Sequence, residues 1–211
     1  MILLFGWDRR VGEVLLRYTP TPETQVNDCC ERTTTINYLG IAQDMGFKKT
    51  SDLIAISFGV TQTVNDTYIE DEIALQLDVL NNEIFVVVAA DLNPVVPPCI
   101  PGTNTNVASA IASTSQATIG KLSSTNVIAV AQLDIRSTTP DAVAGFSRAA
   151  EEAYAGDLDY LALIATNNFF VGCDSANTGA LAAVTGRLWG YRAKADATTY
   201  AALAQSEVLS A

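Results

Sequence analysis

The chain is predicted to be all-β, an antiparallel β-sandwich of the jelly-roll kind with one or two short helices, and three observations carry that prediction. The first is residues 72–92, EIALQLDVLNNEIFVVVAADL, in which two apolar runs of strand length flank Asn81-Asn82. The second is a cadence of strand, turn and strand along most of the chain, without the strand-helix alternation that builds parallel sheets. The third is size: 211 residues with 49% hydrophobic side chains can bury one core of sandwich dimensions, and eight strands in two sheets is the jelly-roll count.

In residues 72–92, Ile73, Leu75, Leu77 and Val79 fall on every second position, so one face is buried while Gln76 and Asp78 point away. Asn tolerates positive φ, so Asn81-Asn82 is expected to close a two-residue hairpin. The return run is apolar on both faces, with Phe85, Val87 and Ala89 on one and Ile84, Val86 and Val88 on the other, which places it inside a sheet covered on both sides.

Upstream, residues 1–18 hold Ile2 to Trp7, a charged break at Asp8-Arg9-Arg10, and a second apolar run ending at Tyr18. Such a segment covers either the core, as the first strand or strands of the same domain, or a neighbouring subunit. Residues 19–22 are extended or turning before their prolines, and a strand is assigned to 33–39. LIAISFGVTQTV, from Leu53, sets Ile54, Ile56, Phe58 and Val60 on one face. Four of the seven prolines lie between 94 and 101, so residues 93–126 are expected to form a long loop or short strands rather than a core element. A strand follows at 126–137. The Ala-rich run after Pro140-Asp141, closed by Gly156, is the best interior helix. Strands are expected at 157–164 and along 180–195, with Asn167-Asn168 as a second tight turn. The last residues, 198–211, form a short helix capped by Thr198 or Thr199 that must dock on something. The whole, 1–211, reads as one sandwich domain.

Composition narrows the chemistry. Acidic residues outnumber basic ones 23 to 12, a net charge of -11, so direct binding to nucleic acid is not expected. Few Lys, abundant Asp, Thr and Ala and a pI near 4.3 suit either an ordinary acidic surface or a protein kept soluble at high salt. The absence of His removes the commonest general base and the commonest neutral metal ligand. Cys29, Cys30, Cys99 and Cys173 lack zinc spacing and read as small buried or half-buried residues, with a disulfide from Cys29 or Cys30 to Cys99 or Cys173 as the alternative. Asp66, Glu70, Asp71 and Glu72 crowd one stretch that could hold a hard cation, but without the EF-hand glycine and spacing they read better as a solvated charged edge. Asp157, Asp159, Glu151 and Glu152 are the other crowded carboxylates, and an acid hydrolase would need two of them to converge. No catalytic constellation, cofactor or metal site is assigned, and the chain is read as not an enzyme. No run reaches a membrane span, and MILLFGW lacks a signal peptide's positive region, so a soluble protein is expected.

The stretches LDYLALIATNNFFV, GRLWGYRAKA and EIFVVVAADLNPVVPP resemble, in strand-and-turn cadence over about residues 53–195, single jelly-roll virus coat proteins, in particular acidic coat proteins of tailless viruses of salt-loving hosts. The resemblance implies a self-assembling shell subunit in a virion, with copies of itself and other virion proteins as partners. The short N-terminus departs from a basic packaging arm and favours a coat layer away from nucleic acid. On separate grounds, few charges and apolar ends suit burial against copies, and Phe5, Trp7, Trp189, Tyr191, Tyr200 and Leu203 are the interface candidates. The rival reading is a phage decoration, fibre or carbohydrate-binding sandwich that stacks sugars on Trp189, Tyr191 or Tyr160.

Overall fold

The computed structural model describes residues 5–7, 14–16, 46–139, 142–148, 151–153 and 159–210. The strand expected at 33–39, Cys29 and Cys30, the Pro-containing turn at 19–22 and Asp157 lie outside them. The chain divides into two units, Met1–Ile41 and Ala42–Ala211. In the first, strands β1 (Phe5–Trp7) and β2 (Val14–Leu16) pair antiparallel, with Gly6 opposite Leu15.

The second unit is a two-sheet sandwich. Its strands are β3 (Phe47–Lys49), β4 (Ile54–Thr61), β5 (Ile69–Ala74), β6 (Glu83–Pro94), β7 (Thr105–Ala112), β8 (Val127–Thr139), β9 (Ala142–Arg148), β10 (Glu151–Ala153), β11 (Ala162–Ile164), β12 (Asn168–Ala176) and β13 (Ala183–Ala195), and helix α1 (Ala197–Ser210) closes it. In one sheet β6 and β13 run side by side; β10 and β11 follow each other along the free side of β6, and β4 and β3 along the free side of β13. The other sheet has the order β5-β12-β7-β8-β9, and every pairing in both is antiparallel. The core orders β4-β13-β6-β11 and β5-β12-β7-β8, with the chain passing back and forth between the sheets, are jelly-roll connectivity.

Between the sheets lies the main core, with Phe85, Val87, Val107, Ile111, Phe169, Val171 and Leu188 all essentially inaccessible. Phe58 and Phe169 meet edge to face at 5.9 Å across it, one ring from each sheet. Burial of a side chain of this size contributes about 1.5–3 kcal/mol. Gly190 sits at the bulge where β13 passes β6; a Cβ there would collide with the Phe85 ring and the Val86 carbonyl, so the close approach requires glycine.

The return run of the central motif is covered on both sides as expected. Phe85 and Val87 face the main core, while Ile84 and Val86 belong to a second cluster with Ala165, Ala193 and Ala195, and Phe47, Tyr160, Leu163, Tyr191, Tyr200 and Leu203 pack against it. Helix α1 supplies the last two of these, so its docking partner is the outer face of the β6 sheet.

Four expectations are corrected. Residues 72–92 do not form a hairpin: β5 and β6 belong to different sheets, and 75–82 arch between them. Leu75 and Leu77 alternate and are buried, but Gln76 between them has φ 53, and both Leu N–H groups bond to Asn167, not to β6. A 3-10 turn at Val79–Asn81 and left-handed Asn82 (φ 57) then redirect the chain. Alternation reports which face is buried and says nothing of the partner strand. Second, 93–126 is not a loop throughout, because β7 lies inside it as an interior strand; its Ala, Ser and Thr residues disguise it, and they fit the narrow space between sheets. Third, the described residues of the expected interior helix form strands instead, β9 and β10. Gly145 in mid-segment costs a helix about 1 kcal/mol, and pairing along β8 outweighs the alanine propensity. Fourth, of the described residues in the strand expected over 157–164, only β11 is strand, although Leu161 N–H still bonds to the Val87 carbonyl at 2.7 Å.

The terminal helix forms as expected, but its cap is Asp196. That carboxylate accepts from Thr199 N–H at 2.7 Å and from Thr199 Oγ1 at 3.0 Å, and these bonds hold its pKa below the usual carboxylate value.

Candidate assembly surfaces

The six residues expected at an interface fall into three environments. Tyr200 and Leu203 on α1 and Tyr191 on β13 are half-buried against the second cluster, where Tyr200 Oη donates to the Ala165 carbonyl at 3.3 Å and Lys49 Nζ lies 4.8 Å from the Tyr191 ring. Burial, then Asp159 and Tyr160, raises the Tyr191 pKa. Trp189 is half-buried, with the Arg187 guanidinium 5.7 Å from its ring centroid. Phe5 and Trp7 place their backbones in β1. Tyr160 packs edge to face on Phe47 at 5.9 Å.

The acidic stretch does not converge on one point. Asp66 Oδ1 ties the loop to Thr178, accepting its N–H at 2.9 Å and its hydroxyl at 3.1 Å. Glu70 accepts from Tyr68 Oη at 2.9 Å, Ser115 Oγ at 2.6 Å and Gln116 N–H at 2.8 Å, while Glu72 accepts from the Asn168 side chain. Burial, then the bond to Glu70, raises the Tyr68 pKa. Among the described residues no three Asp, Glu or Cys side chains are grouped as metal ligands. Of the carboxylates weighed for hydrolysis, Asp159 is exposed, and the register sets Glu151 opposite Asp91 and Glu152 opposite Ala90. Cys99 is exposed, against the expectation of a buried or half-buried residue, and Cys173 is buried; they are not bonded to each other, and Cys29 and Cys30 of the disulfide alternative lie outside the described residues. Burial pushes the Cys173 thiol up to about 11.

Helix α1 adds a feature the sequence did not announce. Glu207 is buried at 8% exposure; its Oε1 accepts the Ala165 N–H at 3.0 Å, and its Oε2 has no hydrogen-bond partner among the described residues. Burial raises its pKa, against the lowering effect of bonds from Ala165 and Thr166. It lines a cavity of about 300 Å³ with Asn126, Ile128, Leu161, Leu163 and Leu203.

The two ends of the five-stranded sheet differ in kind. At one, β5 carries Glu70, Asp71 and Glu72 in a row. At the other, β9 pairs only β8 among the described strands, and all seven of its residues are exposed, including Val143 at 50% and Phe146 at 59%. Its one charge is Arg148. Reading the segment as a helix concealed this edge, and the signal that pointed to it was Gly145 within an otherwise Ala-rich run.

No protein-family model and no curated protein matches the chain. Among solved structures, it overlaps a chain of Desmodium yellow mottle tymovirus at 12% identity and a TM-score of 0.29, covering 70% of this chain and 91% of that one. It overlaps a chain of the Cocksfoot mottle virus structure at 9% identity and a TM-score of 0.28, covering 87% and 97%. Overlap at that level leaves the sandwich to stand on its own strand pairing.

Proposed function

We propose that the chain is a structural coat subunit of a virion that assembles with copies of itself. The observation that carries this reading is the jelly-roll strand order combined with an edge strand left bare on both faces. A jelly roll is an architecture used by virus shells and by lectins, and fold alone does not choose between them. A sheet edge of unpaired N–H and C=O groups favours the shell, because it is a template for another chain. The net charge of -11 sets the conditions: copies repel at low salt, and screening shortens that repulsion to about 3 Å at 1 M salt.

The test is light scattering coupled to size exclusion in low and molar salt, with negative-stain imaging of the largest species. Salt-promoted oligomers, rings or shells are expected. A monomer at every salt and concentration overturns self-assembly.

A further inference from the structure

We infer that β9 is the strand through which a second copy of this chain extends the five-stranded sheet, antiparallel to β9 of its neighbour and centred on Gly145. This rests on the coat reading and names its contact.

The backbone comes first. Each residue of a strand turns its N–H and C=O to one side or the other, so with β8 on one side of β9 the groups on its other side have no strand partner among the described residues. An extended peptide is the ligand that satisfies such a row. Natural edges are usually blunted by charge, proline, bulges or brevity. Within Ala142–Arg148 there is no proline and no carboxylate, and the bulge lies at the turn end, between Ser137 and Thr139 of β8.

Charge and shape then choose the occupant. On a chain of net charge -11, most contacts between copies would bring carboxylates together, and β9 brings none. A two-fold contact requires each residue pair to occur twice, so the register is set by its centre. Centring on residue 145 pairs all seven residues. It sets Phe146 opposite Ala144 of the partner subunit, an aromatic ring over a small side chain, and Val143 opposite the partner's Ser147. The two Arg148 side chains then lie at opposite ends of the ribbon, roughly 20 Å apart at 3.4 Å per residue, so the cations do not meet. One strand pair buries less than the roughly 1,000 Å² of a durable interface, so the contact is weak alone and becomes effective when several are made together.

The register gives a direct test. A Cβ added at Gly145 meets nothing within 4 Å, so Gly145→Cys is tolerated, and in the proposed pair two such side chains stand opposite each other. The variant, made with Cys99→Ser and incubated with a mild oxidant at high protein concentration in molar salt, is expected to form a dimer whose linked peptide joins position 145 to position 145. Its rate should be at least tenfold above that of Ser123→Cys, an exposed control on another loop. A second variant, Ala144→Glu with Phe146→Glu, copies the guard of β5 onto exposed positions; it should keep the wild-type circular dichroism and melting temperature while oligomer formation falls at least tenfold. If the wild type assembles but position 145 does not cross-link to itself and the double-Glu variant assembles normally, β9 is not the contact and the coat reading survives. If the wild type stays monomeric under all these conditions, both fail.

Discussion

Strands β5 and β9 bound the same sheet and solve the problem of an edge in opposite ways. β5 is held by what its carboxylates accept: Glu70 gathers a tyrosine hydroxyl, a serine hydroxyl and a backbone N–H, and Glu72 ties to Asn168 on β12. Those charges also repel a second strand. β9 contributes almost nothing to its own molecule beyond pairing with β8, since none of its side chains is buried. One edge is guarded by charge and the other is not, and the difference teaches that, among the described strands, the sheet has one closed end and one open end.

The comparison breaks most visibly at two phenylalanines of the same sheet. Phe169→Ala on β12 empties a fully buried site and should cost about 3–5 kcal/mol in urea unfolding. Next comes the guard of β5. Glu70→Ala strips three donors of their acceptor and should cost about 1–3 kcal/mol, and ultraviolet titration should find the Tyr68 pKa moved down, because the bond and charge that help raise it are gone. An unchanged Tyr68 titration would mean that burial alone sets it.

How much of this was legible in the sequence follows from what each signal measures. Ile84 to Val88 announced a strand buried on both faces because that is a statement about solvent, and β6 obeys it. The partner of the run before it was not legible, because a positive φ at Gln76 and a bond to Asn167 are made by the fold and leave no mark on the alternation. β7 was hidden by its small residues. β9 was hidden by alanine propensity, which is a weak preference that an unpaired flank of β8 overrides. Of the six interface candidates, Tyr191, Tyr200 and Leu203 were legible as apolar anchors, but the surface they serve is the molecule's own second cluster, which depends on where α1 lies.

A smaller effect sharpens the contrast between helix-covered and open sheet. The folded-state pKa of Glu207 is raised, so its contribution favours folding below the ordinary carboxyl value of 4.5 and is lost as pH rises through the folded value. Melting temperature measured across that range should therefore fall in the wild type relative to Glu207→Gln, whose amide titrates nowhere. Parallel curves would show that the carboxylate is satisfied when charged. The smallest expected effect is the most telling: Phe146→Ala on β9 should change monomer stability by no more than about 0.5 kcal/mol, and a loss near that of Phe169→Ala would mean that β9 packs within its own molecule.

The double coverage of β6 has a kinetic meaning. Its inner face meets strands that precede and follow it, but its outer face, through Ile84 and Val86, belongs to a cluster that Tyr200 and Leu203 of α1, at the far end of the described chain, help to cover together with Phe47, Tyr160, Leu163 and Tyr191. The central strand is thus among the earlier to be synthesised and the last to be roofed. Contacts between such distant segments close slowly, on the order of milliseconds to seconds, and until α1 docks the outer face of β6 is a second sticky surface. In the proposed assembly one of these surfaces is quenched by the molecule's own helix and the other by a neighbour, so folding precedes assembly in time.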